Sequence, residues 1–252
     1  TNMLSKNKIK FIRSLEMKKN RKENGVFLAE GNKLVSELSA HFKCKLLVAT
    51  SQWLDSNRNI NADETIAVEK EELSRASLLK TPQDVLAVFE MPHYEASNDD
   101  PKKELCLALD DIQDPGNLGT IIRIADWFGI KNIFCSHGTA DAFSPKTVQA
   151  TMGALARVKI HYCDIKALIS GLDDVPVFGT FLDGNNIYES ELSANGLIVM
   201  GNEGNGISKE VSALINRRIL IPNYPQGNET TDSLNVAIAT AIVCSEFRRR
   251  HL

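Results

Sequence analysis

The sequence lacks the features that mark membrane, secreted and repetitive proteins. No apolar run reaches the length of about eighteen residues that a membrane-spanning helix needs. The basic N-terminal stretch is not followed by the apolar segment of a secretory signal. No internal repeat or low-complexity tract occurs. The 252 residues, 43% hydrophobic and 24% charged, are ordinary for a globular protein with one large domain or two modest ones.

Cysteine is scarce and forms no framework. The five cysteines are odd in number, widely spaced and mostly within apolar runs (Cys44, Cys106, Cys135, Cys163, Cys244). This pattern predicts reduced thiols in the core rather than disulfides or a zinc site. It therefore predicts a cytoplasmic protein.

A net charge of −3 argues against nucleic-acid binding, but the distribution of charge argues for it. Basic residues cluster near the N-terminus, where Glu16 is the only acid among them (Lys6, Lys8, Lys10, Arg13, Lys18, Lys19, Arg21, Lys22). Arg248, Arg249 and Arg250 form a second cluster at the other end. Such clusters can bind a polyanion. A solvated helix face and a last helical turn that complements the helix dipole explain them equally well.

Alternating strand and helix patterns predict two α/β units. The first begins with an amphipathic helix over residues 5–19 and ends with a strand over residues 85–91. Residues 92–103 contain two prolines and almost no apolar side chains, which is typical of a linker. The second unit begins with an apolar strand over residues 105–109, and its strand–helix order predicts a mostly parallel sheet with ligand loops at the carboxyl ends of the strands.

The first polar loop follows the strand 105–109. It consists of Asp110, Asp111 and a tight turn from Asp114 to Asn117. A helix follows, for which Asn117 is the predicted N-cap and Gly129 the predicted stop. Arg123 lies inside this helix and off its apolar face, where a salt bridge with Asp126 would be its simplest role.

The second loop follows the apolar strand that ends near residue 200 and is rich in glycine. Gly201, Gly204 and Gly206 permit positive φ angles and a close approach to a ligand, but their order is not that of a dinucleotide-binding fingerprint.

The third loop runs over residues 221–235, and Asp232 or Ser233 is the predicted cap of the last helix. Residues 234–243 are apolar almost all round, so this helix is predicted to be central to its domain or to pack against a second subunit.

Together, three segments resemble the motifs of the SpoU or TrmH-type branch of the SPOUT RNA methyltransferases. They read DDIQDPGNLGTIIRIADWFGI, LIVMGNEGNGIS and, after Ile-Pro, SLNVAIATAI. The upstream VFLAEGNKLVSEL is similar to the small L30e-like domain of that family. The resemblance implies an α/β fold with an L30e-like RNA-binding domain at 1–92, a linker at 93–103 and a trefoil-knotted, mostly parallel SPOUT domain at 104–252.

The resemblance also implies an activity, a cofactor and a partner. It implies transfer of a methyl group from S-adenosyl-L-methionine to a ribose 2′-hydroxyl of structured RNA, either tRNA or rRNA, by a homodimer whose active site lies at the subunit interface. No metal is implied. Arg123 and Asn117 match the catalytic motif, and Glu203, Ser233 and Asn235 match positions that line the same site. Backbone groups near the cofactor are expected at the matching positions of the other segments (Thr180, Gly201, Asn202, Ile221, Leu234).

Two departures and three simpler interpretations stand beside this resemblance. Gln149 occupies a position where the family often has arginine, and the loop 223–232 is longer than usual. Ile221 and Leu234 can equally be core residues, Ser233 a helix cap and Glu203 a loop-end carboxylate. The alternative functions are a catalytically silent RNA-binding or ribosome-assembly factor on the same fold and, from the glycine loop alone, a nucleotide-dependent oxidoreductase.

Overall fold

The computed structural model describes residues 4–252, which form two compact units. The first contains the chain up to His93 together with Asp141–Ala156, and the second contains Tyr94–Ala140 and Arg157–Leu252. The domain limits inferred from sequence stay a prediction. None of the helices between residues 4 and 252 has the length and apolar character that spanning a lipid bilayer requires.

A sheet with strand order β1-β4-β2-β3 forms the centre of the first unit. Its strands alternate with helices, as predicted, and are β1 (Val26–Glu30), β2 (Cys44–Ala49), β3 (Ala62–Ala67) and β4 (Val85–Glu90). β2 and β3 are parallel, whereas β4 is antiparallel to both β1 and β2. The helices are α1 (Lys6–Ser14), α2 (Lys18–Asn24), α3 (Asn32–Ser39), α4 (Ser51–Ser56) and α5 (Lys70–Ala76).

The single helix predicted over residues 5–19 is wrong, because the chain breaks between α1 and α2. Ser5 caps α1 by accepting a hydrogen bond from the Lys8 amide, as an N-cap serine should. At the other end, the buried Arg21 guanidinium donates to the carbonyls of Leu15 and Glu16 at 2.8 and 2.7 Å. It also donates to Asp141 at 2.7 Å. This contact between distant residues stabilises the break, and periodicity within the segment does not reveal it.

Residues 141–156 complete the core of the first unit. The Phe143 ring lies 5.0 Å from that of Phe27, which also contacts Phe42 and Phe89. Ser144 caps α8 (Pro145–Ala150), which packs against the edge strand β1 and ends before a 3₁₀ turn at Ala154–Ala156. Residues 145–156 therefore form two short elements rather than one continuous helix. Gln149 donates to the Glu30 carbonyl at 3.0 Å and accepts from its amide at 3.4 Å, so it bonds the edge of β1 that does not pair with β4.

The second unit contains the predicted parallel sheet. Its strand order is β10-β8-β9-β5-β6-β7, and every neighbouring pair is parallel. The strands are β5 (Leu105–Asp110), β6 (Asn132–Cys135), β7 (Lys159–Tyr162), β8 (Val177–Asn186), β9 (Gly196–Gly201) and β10 (Arg217–Leu220). β5 and β9 are buried along their whole length, as parallel strands covered on both faces should be. The trefoil knot implied by the resemblance stays a prediction.

Helices α6 (Asp100–Lys103), α7 (Pro115–Trp127), α9 (Ile165–Ser170), α10 (Lys209–Ser212) and α11 (Val236–Arg249) accompany this sheet. The predicted N-cap Asn117 is wrong. Asp114 caps α7 by accepting from the Asn117 amide at 2.7 Å, and Pro115 occupies the first turn, where its missing N–H costs nothing. Gly129 follows α7 with φ 65°, the left-handed conformation of a helix stop, as expected.

Candidate functional site

A cavity of about 420 Å³ lies beside the middle of β8, at the carboxyl ends of β9 and β10 and beside the start of α11. All five residues expected near a cofactor line it: Thr180, Gly201, Asn202, Ile221 and Leu234. Phe181, Leu182 and Val236 add apolar surface. Its volume and its mixture of apolar side chains with loop backbone suit a ligand of nucleoside size.

The glycine loop closes on itself at the cavity wall. Asn202 and Gly206 exchange two backbone hydrogen bonds, of 3.0 and 2.9 Å. A Cβ on Gly201 would collide with the backbone of Gly206 and Ile207, so this position requires glycine for a close approach of the chain to itself. Gly206 has φ 67°, a conformation that glycine adopts more readily than other residues. The two glycines therefore shape the cavity wall.

Two side chains of this loop hold the first polar loop. Asn202 donates to the Asp111 carbonyl at 2.7 Å. The Glu203 carboxylate accepts from the backbone amides of Gln113 and Asp114 at 3.2 and 3.1 Å. Because both residues also line the cavity, the cavity wall and the start of α7 are parts of one hydrogen-bonded structure.

Asn117 connects that structure to the last helix. Its amide donates to Glu203 at 3.3 Å, and its side-chain oxygen accepts from Asn235 at 3.0 Å. Asn235 caps α11 by accepting from the amides of Ala237 and Ile238. The predicted cap, Asp232 or Ser233, is therefore wrong, and Leu234 precedes the helix. The structure thus brings together three of the expected catalytic positions: Asn117, Glu203 and Asn235.

The hydrogen bonds at Glu203 favour its ionised form. Burial raises the pKa of this carboxyl, but amide donors from Glu203 itself, Asp114 and Gln113, together with the Asn117 side chain, outweigh burial. The pKa of Glu203 consequently lies below its ordinary value. A carboxylate so held is a fixed acceptor and a poor general base.

Arg123 and Ser233 stand apart from this network. Arg123 is exposed on α7 and, within residues 4–252, makes no hydrogen bond or ion pair. Asp126, its simplest partner, is instead bonded to Arg157 through two contacts of 2.8 Å. The Arg123 guanidinium is therefore available to a ligand, although it does not line the cavity. Ser233 is exposed and does line the cavity.

Asp110 and Asp111, which the sequence places in the first polar loop without a specific role, also shape the site. The buried Asp110 carboxylate accepts from the Ser208 amide at 2.8 Å and thereby fixes the end of the glycine loop. Asp111 has φ 63°, a conformation that costs energy for a residue with a side chain. The paired acids after an apolar strand are visible in the sequence, but the residue that bonds the Asp110 carboxylate lies 98 residues away.

Several residues of the two basic clusters are already bonded to other residues of the protein. Arg248 donates to the carbonyls of Phe128 and Gly129 and so caps α7, while Arg249 and Arg250 bond Glu246. Near the N-terminus, Lys8 pairs with Glu64 and Arg13 donates to the Ser77 carbonyl. Lys6, Lys10, Lys18 and Lys22 have no ion pair within residues 4–252. Of the lysines of the N-terminal cluster within residues 4–252, these four have no acidic partner to compete with a polyanion, whereas Lys19 has a 3.7 Å ion pair with Glu23.

Comparison with known proteins gives one consistent result. The profile of the SpoU rRNA Methylase family matches residues 104–245, and that of the MRM3-like substrate binding domain matches residues 6–87. The chain is 30% identical to a 23S rRNA (guanosine(2553)-2′-O)-methyltransferase, RlmP, of Bacillus subtilis, over 96% of each chain.

Two solved structures match the whole fold. One, described as an RNA methyltransferase of the TrmH family from Porphyromonas gingivalis, has a TM-score of 0.89 and 43% identity, and the match covers 99% of this chain and 100% of the other. An rRNA methyltransferase from Sinorhizobium meliloti with bound AdoMet has a TM-score of 0.86 and 32% identity, covering 100% and 98%. With its cavity, its three connected loops and these matches over its length, the chain belongs to the SpoU rRNA methylase family.

Proposed function

We propose that this protein transfers the methyl group of S-adenosylmethionine to a ribose 2′-hydroxyl of RNA at the carboxyl edge of the parallel sheet. The observation that carries this assignment is the hydrogen-bonded chain from Glu203 through Asn117 to Asn235. It joins the wall of the cavity to the helix that presents the unpaired Arg123.

The cavity fits the cofactor by its donor set as well as by its size. When bound, S-adenosylmethionine supplies an electrophilic methyl group on a positively charged sulfur. Backbone groups at Gly201 and Ile221 can read the edge of an adenine ring, and the side chains of Leu182 and Leu234 can cover its faces. Asn202 contributes through the shape of the loop, because its side chain is already bonded to Asp111, Gly204 and Asn205.

Arg123 supports the acceptor. A 2′-hydroxyl is a poor nucleophile at neutral pH, and a guanidinium, with a pKa above about 12, is a poor base. Arg123 instead binds the phosphate beside the reacting ribose and stabilises the negative charge that develops on the 2′-oxygen. Asn117 and Asn235 orient the first turn of α7, and Ser233 lies where it can hydrogen-bond the substrate.

The test separates transfer from cofactor binding. Arg123→Ala should abolish transfer of a tritiated methyl group to ribosomal RNA transcribed in vitro, while the thermal shift caused by S-adenosylhomocysteine should stay as in the parent protein. Lys166→Ala removes one charge from the exposed face of α9 and is the matched control. Retained transfer by Arg123→Ala would overturn its role. Cofactor binding by the parent protein without transfer to ribosomal or transfer RNA would favour the silent RNA-binding factor.

A second copy of the chain completes the site in this proposal. α7 and α11 pack against each other and leave two apolar side chains exposed, Trp127 at 84% and Ile238 at 54%. Trp127 lies four residues from Arg123 on the same exposed side of α7. A partner that covers these side chains therefore surrounds Arg123 as well.

Subunit mixing tests this arrangement. Trp127→Glu combined with Ile238→Glu should give a monomer by light scattering and should lose transfer. Arg123→Ala mixed with Thr180→Trp, whose larger side chain fills the cavity, should recover activity if one site uses both chains. A dimeric Trp127→Glu/Ile238→Glu protein would exclude this surface, and a mixture as inactive as its components would place each site within one chain.

The first unit holds the RNA in this proposal. The match to a substrate binding domain and the unpaired lysines Lys6, Lys10, Lys18 and Lys22 support it. Ribosomal RNA is the substrate class that the named relatives favour. Transfer to transcribed transfer RNA but not to ribosomal RNA would contradict that choice.

The proposed compartment is the cytoplasm. None of the five cysteines within residues 4–252 forms a disulfide. Burial raises the pKa of Cys44 and of Cys163 to about 11, so both thiols stay protonated and unreactive at neutral pH. These properties suit a reducing environment.

A further inference from the structure

Part of the cavity wall is a bulge in β8. The pairing of β8 with β10 passes from Gly179, opposite Arg218, directly to Asn185, opposite Ile219. Residues 180–184 lie between these two pairs and leave the line of the strand. A Cβ on Gly184 would lie 2.5 Å from the Ile219 carbonyl carbon, so glycine lets the bulge return to β10. The first half of the bulge, Thr180 to Leu182, lines the cavity.

Arg218 stands at the point where the pairing slips, and it bonds the bulge twice. Its guanidinium carbon lies 3.5 Å from the centre of the Phe181 ring, which is close stacking of a cation on an aromatic face. Its Nη2 donates to Asp183 Oδ1 at 2.6 Å. A third bond, from Nη1 to Ser212 Oγ at 3.3 Å, holds the guanidinium against the end of α10.

Phe181 therefore has little freedom. A Cβ on Gly179 would lie 2.8 Å from Phe181 Cε2, so the ring occupies the space that a larger residue would need. Arg218 covers one face of the ring, and the ring borders the cavity. Leu182, between the two residues that Arg218 holds, is 81% exposed. Its place at the cavity wall depends on the bulge being held on both sides.

We infer that Arg218 is a positioning residue for the methyl donor: by stacking on Phe181 and pairing with Asp183 it holds the bulge 180–184 in the shape that binds the cofactor. The inference rests on the proposed location of the cofactor in this cavity. An exposed ion pair alone would contribute little, since Asp183 is 76% exposed. The stack on a cavity-lining ring distinguishes Arg218 from other surface arginines.

The prediction concerns cofactor affinity rather than the chemical step. Arg218→Ala should weaken S-adenosylhomocysteine binding, measured by titration calorimetry, by about three- to tenfold, the range expected for a cation–π contact with its ion pair. The KM for S-adenosylmethionine should rise by about the same factor, while kcat at saturating cofactor should change less than about twofold. Arg217→Ala is the control. Arg217 is the neighbour of Arg218 in the sequence, and among residues 4–252 its guanidinium bonds only the Asn216 carbonyl.

Two further variants test the mechanism within a folded protein. Arg218→Lys keeps the charge and can keep the Asp183 pair but loses the planar stack, so its affinity should fall between those of the parent protein and Arg218→Ala. Phe181→Leu should also weaken binding, and the double variant Arg218→Ala/Phe181→Leu should lose less affinity than the two single losses added together, because the stack is counted in both. Additive losses, or unchanged affinity with only a lower melting temperature, would overturn the positioning role.

Failure of this inference is distinguishable from failure of the proposed function. If Thr180→Trp abolishes cofactor binding and Arg123→Ala abolishes transfer while Arg218→Ala binds normally, the site stands and Arg218 has no part in it. If Thr180→Trp binds S-adenosylhomocysteine as the parent protein does, the proposed cavity itself is wrong.

Discussion

Asn235 and Asn117 are 118 residues apart in the chain, and the amide of the first donates a 3.0 Å hydrogen bond to the side-chain oxygen of the second. The same Asn235 side chain uses its oxygen to cap α11. One residue thus fixes the end of the last helix and its distance from the first turn of α7.

Substituting Asn235 by aspartate should separate these two roles. Aspartate keeps the capping oxygen, so the free energy of unfolding should change by less than about 0.5 kcal/mol. It has no N–H to donate to Asn117, so methyl transfer should fall at least about tenfold. Asn235→Ala should lose both, at about 0.5–2 kcal/mol of stability. Thermal unfolding and tritiated-methyl transfer measure the two effects, and an aspartate variant with parent activity would show that the bond to Asn117 is dispensable.

Glu203 should stabilise the protein in a pH-dependent way. Its pKa is lowered in the folded state, so its contribution is complete above its ordinary pKa, near 4.5, and is lost as the pH falls through the lower folded value. Because solvent partly reaches this carboxylate, Glu203→Gln should cost only about 1 kcal/mol at pH 7, below the usual range for hydrogen bonds to a charged group. The difference between parent and variant in urea unfolding should shrink from pH 5 downward. A difference that stays constant to acid pH would mean that the two amides are not held by an ionised carboxylate.

Gly201 and Gly204 of the glycine loop differ in how much space the structure leaves for a side chain. At Gly201 an added Cβ meets the backbone of Gly206 and Ile207, whereas at Gly204 the nearest atom is 3.6 Å away. Gly201→Ala should therefore lose most of its affinity for S-adenosylhomocysteine, and Gly204→Ala should keep it to within about threefold. Calorimetric titration of both variants measures the contrast. Equal affinities would show that the loop can move aside at no cost.

Phe143 should contribute strongly to the stability of the first unit. It is 7% exposed and packs on Phe27, so Phe143→Ala should cost about 3–5 kcal/mol. Met152, in the same segment, is 63% exposed, and Met152→Ala should change stability by less than about 0.5 kcal/mol. Urea unfolding of the Trp127→Phe background follows the first unit alone through the buried Trp53. Equal stabilities of the two variants would show that residues 141–156 are not part of this core.

The sequence predicts where the strands and helices lie better than it predicts the hydrogen bonds that fix their ends. Apolar runs such as Leu105–Asp110 and Gly196–Gly201 are buried on both faces, so hydrophobicity alone locates them. The three loops are recognisable because their residue types serve turns and caps. The sequence does not reveal which residue caps which helix, because Asp114, Asn117, Ser233 and Asn235 all have suitable side chains. The role of each is fixed by a partner far along the chain: Asn117 bonds Glu203, and Asn235 bonds Asn117.

The break between α1 and α2 and the bulge in β8 were missed for the same physical reason. Each is stabilised by an arginine whose partners lie far along the chain, Asp141 for Arg21 and Phe181 for Arg218. Gln149 illustrates the reverse case. Its departure from the family's usual arginine was visible in the sequence, and its use as a bonding partner for β1 was not.

The contribution of residues 141–156 to the first unit sets a limit on the order of folding during synthesis. Arg21, Phe27 and Glu30 emerge from the ribosome early, but Asp141, Phe143 and Gln149 emerge only after β5, α7 and β6 have been made. The core of the first unit therefore cannot be complete until β5 and β6 of the second unit have been synthesised. Synthesis of the first unit ends at Ala156, before β7, β8, β9 and β10 are made, although each unit has a sheet of its own.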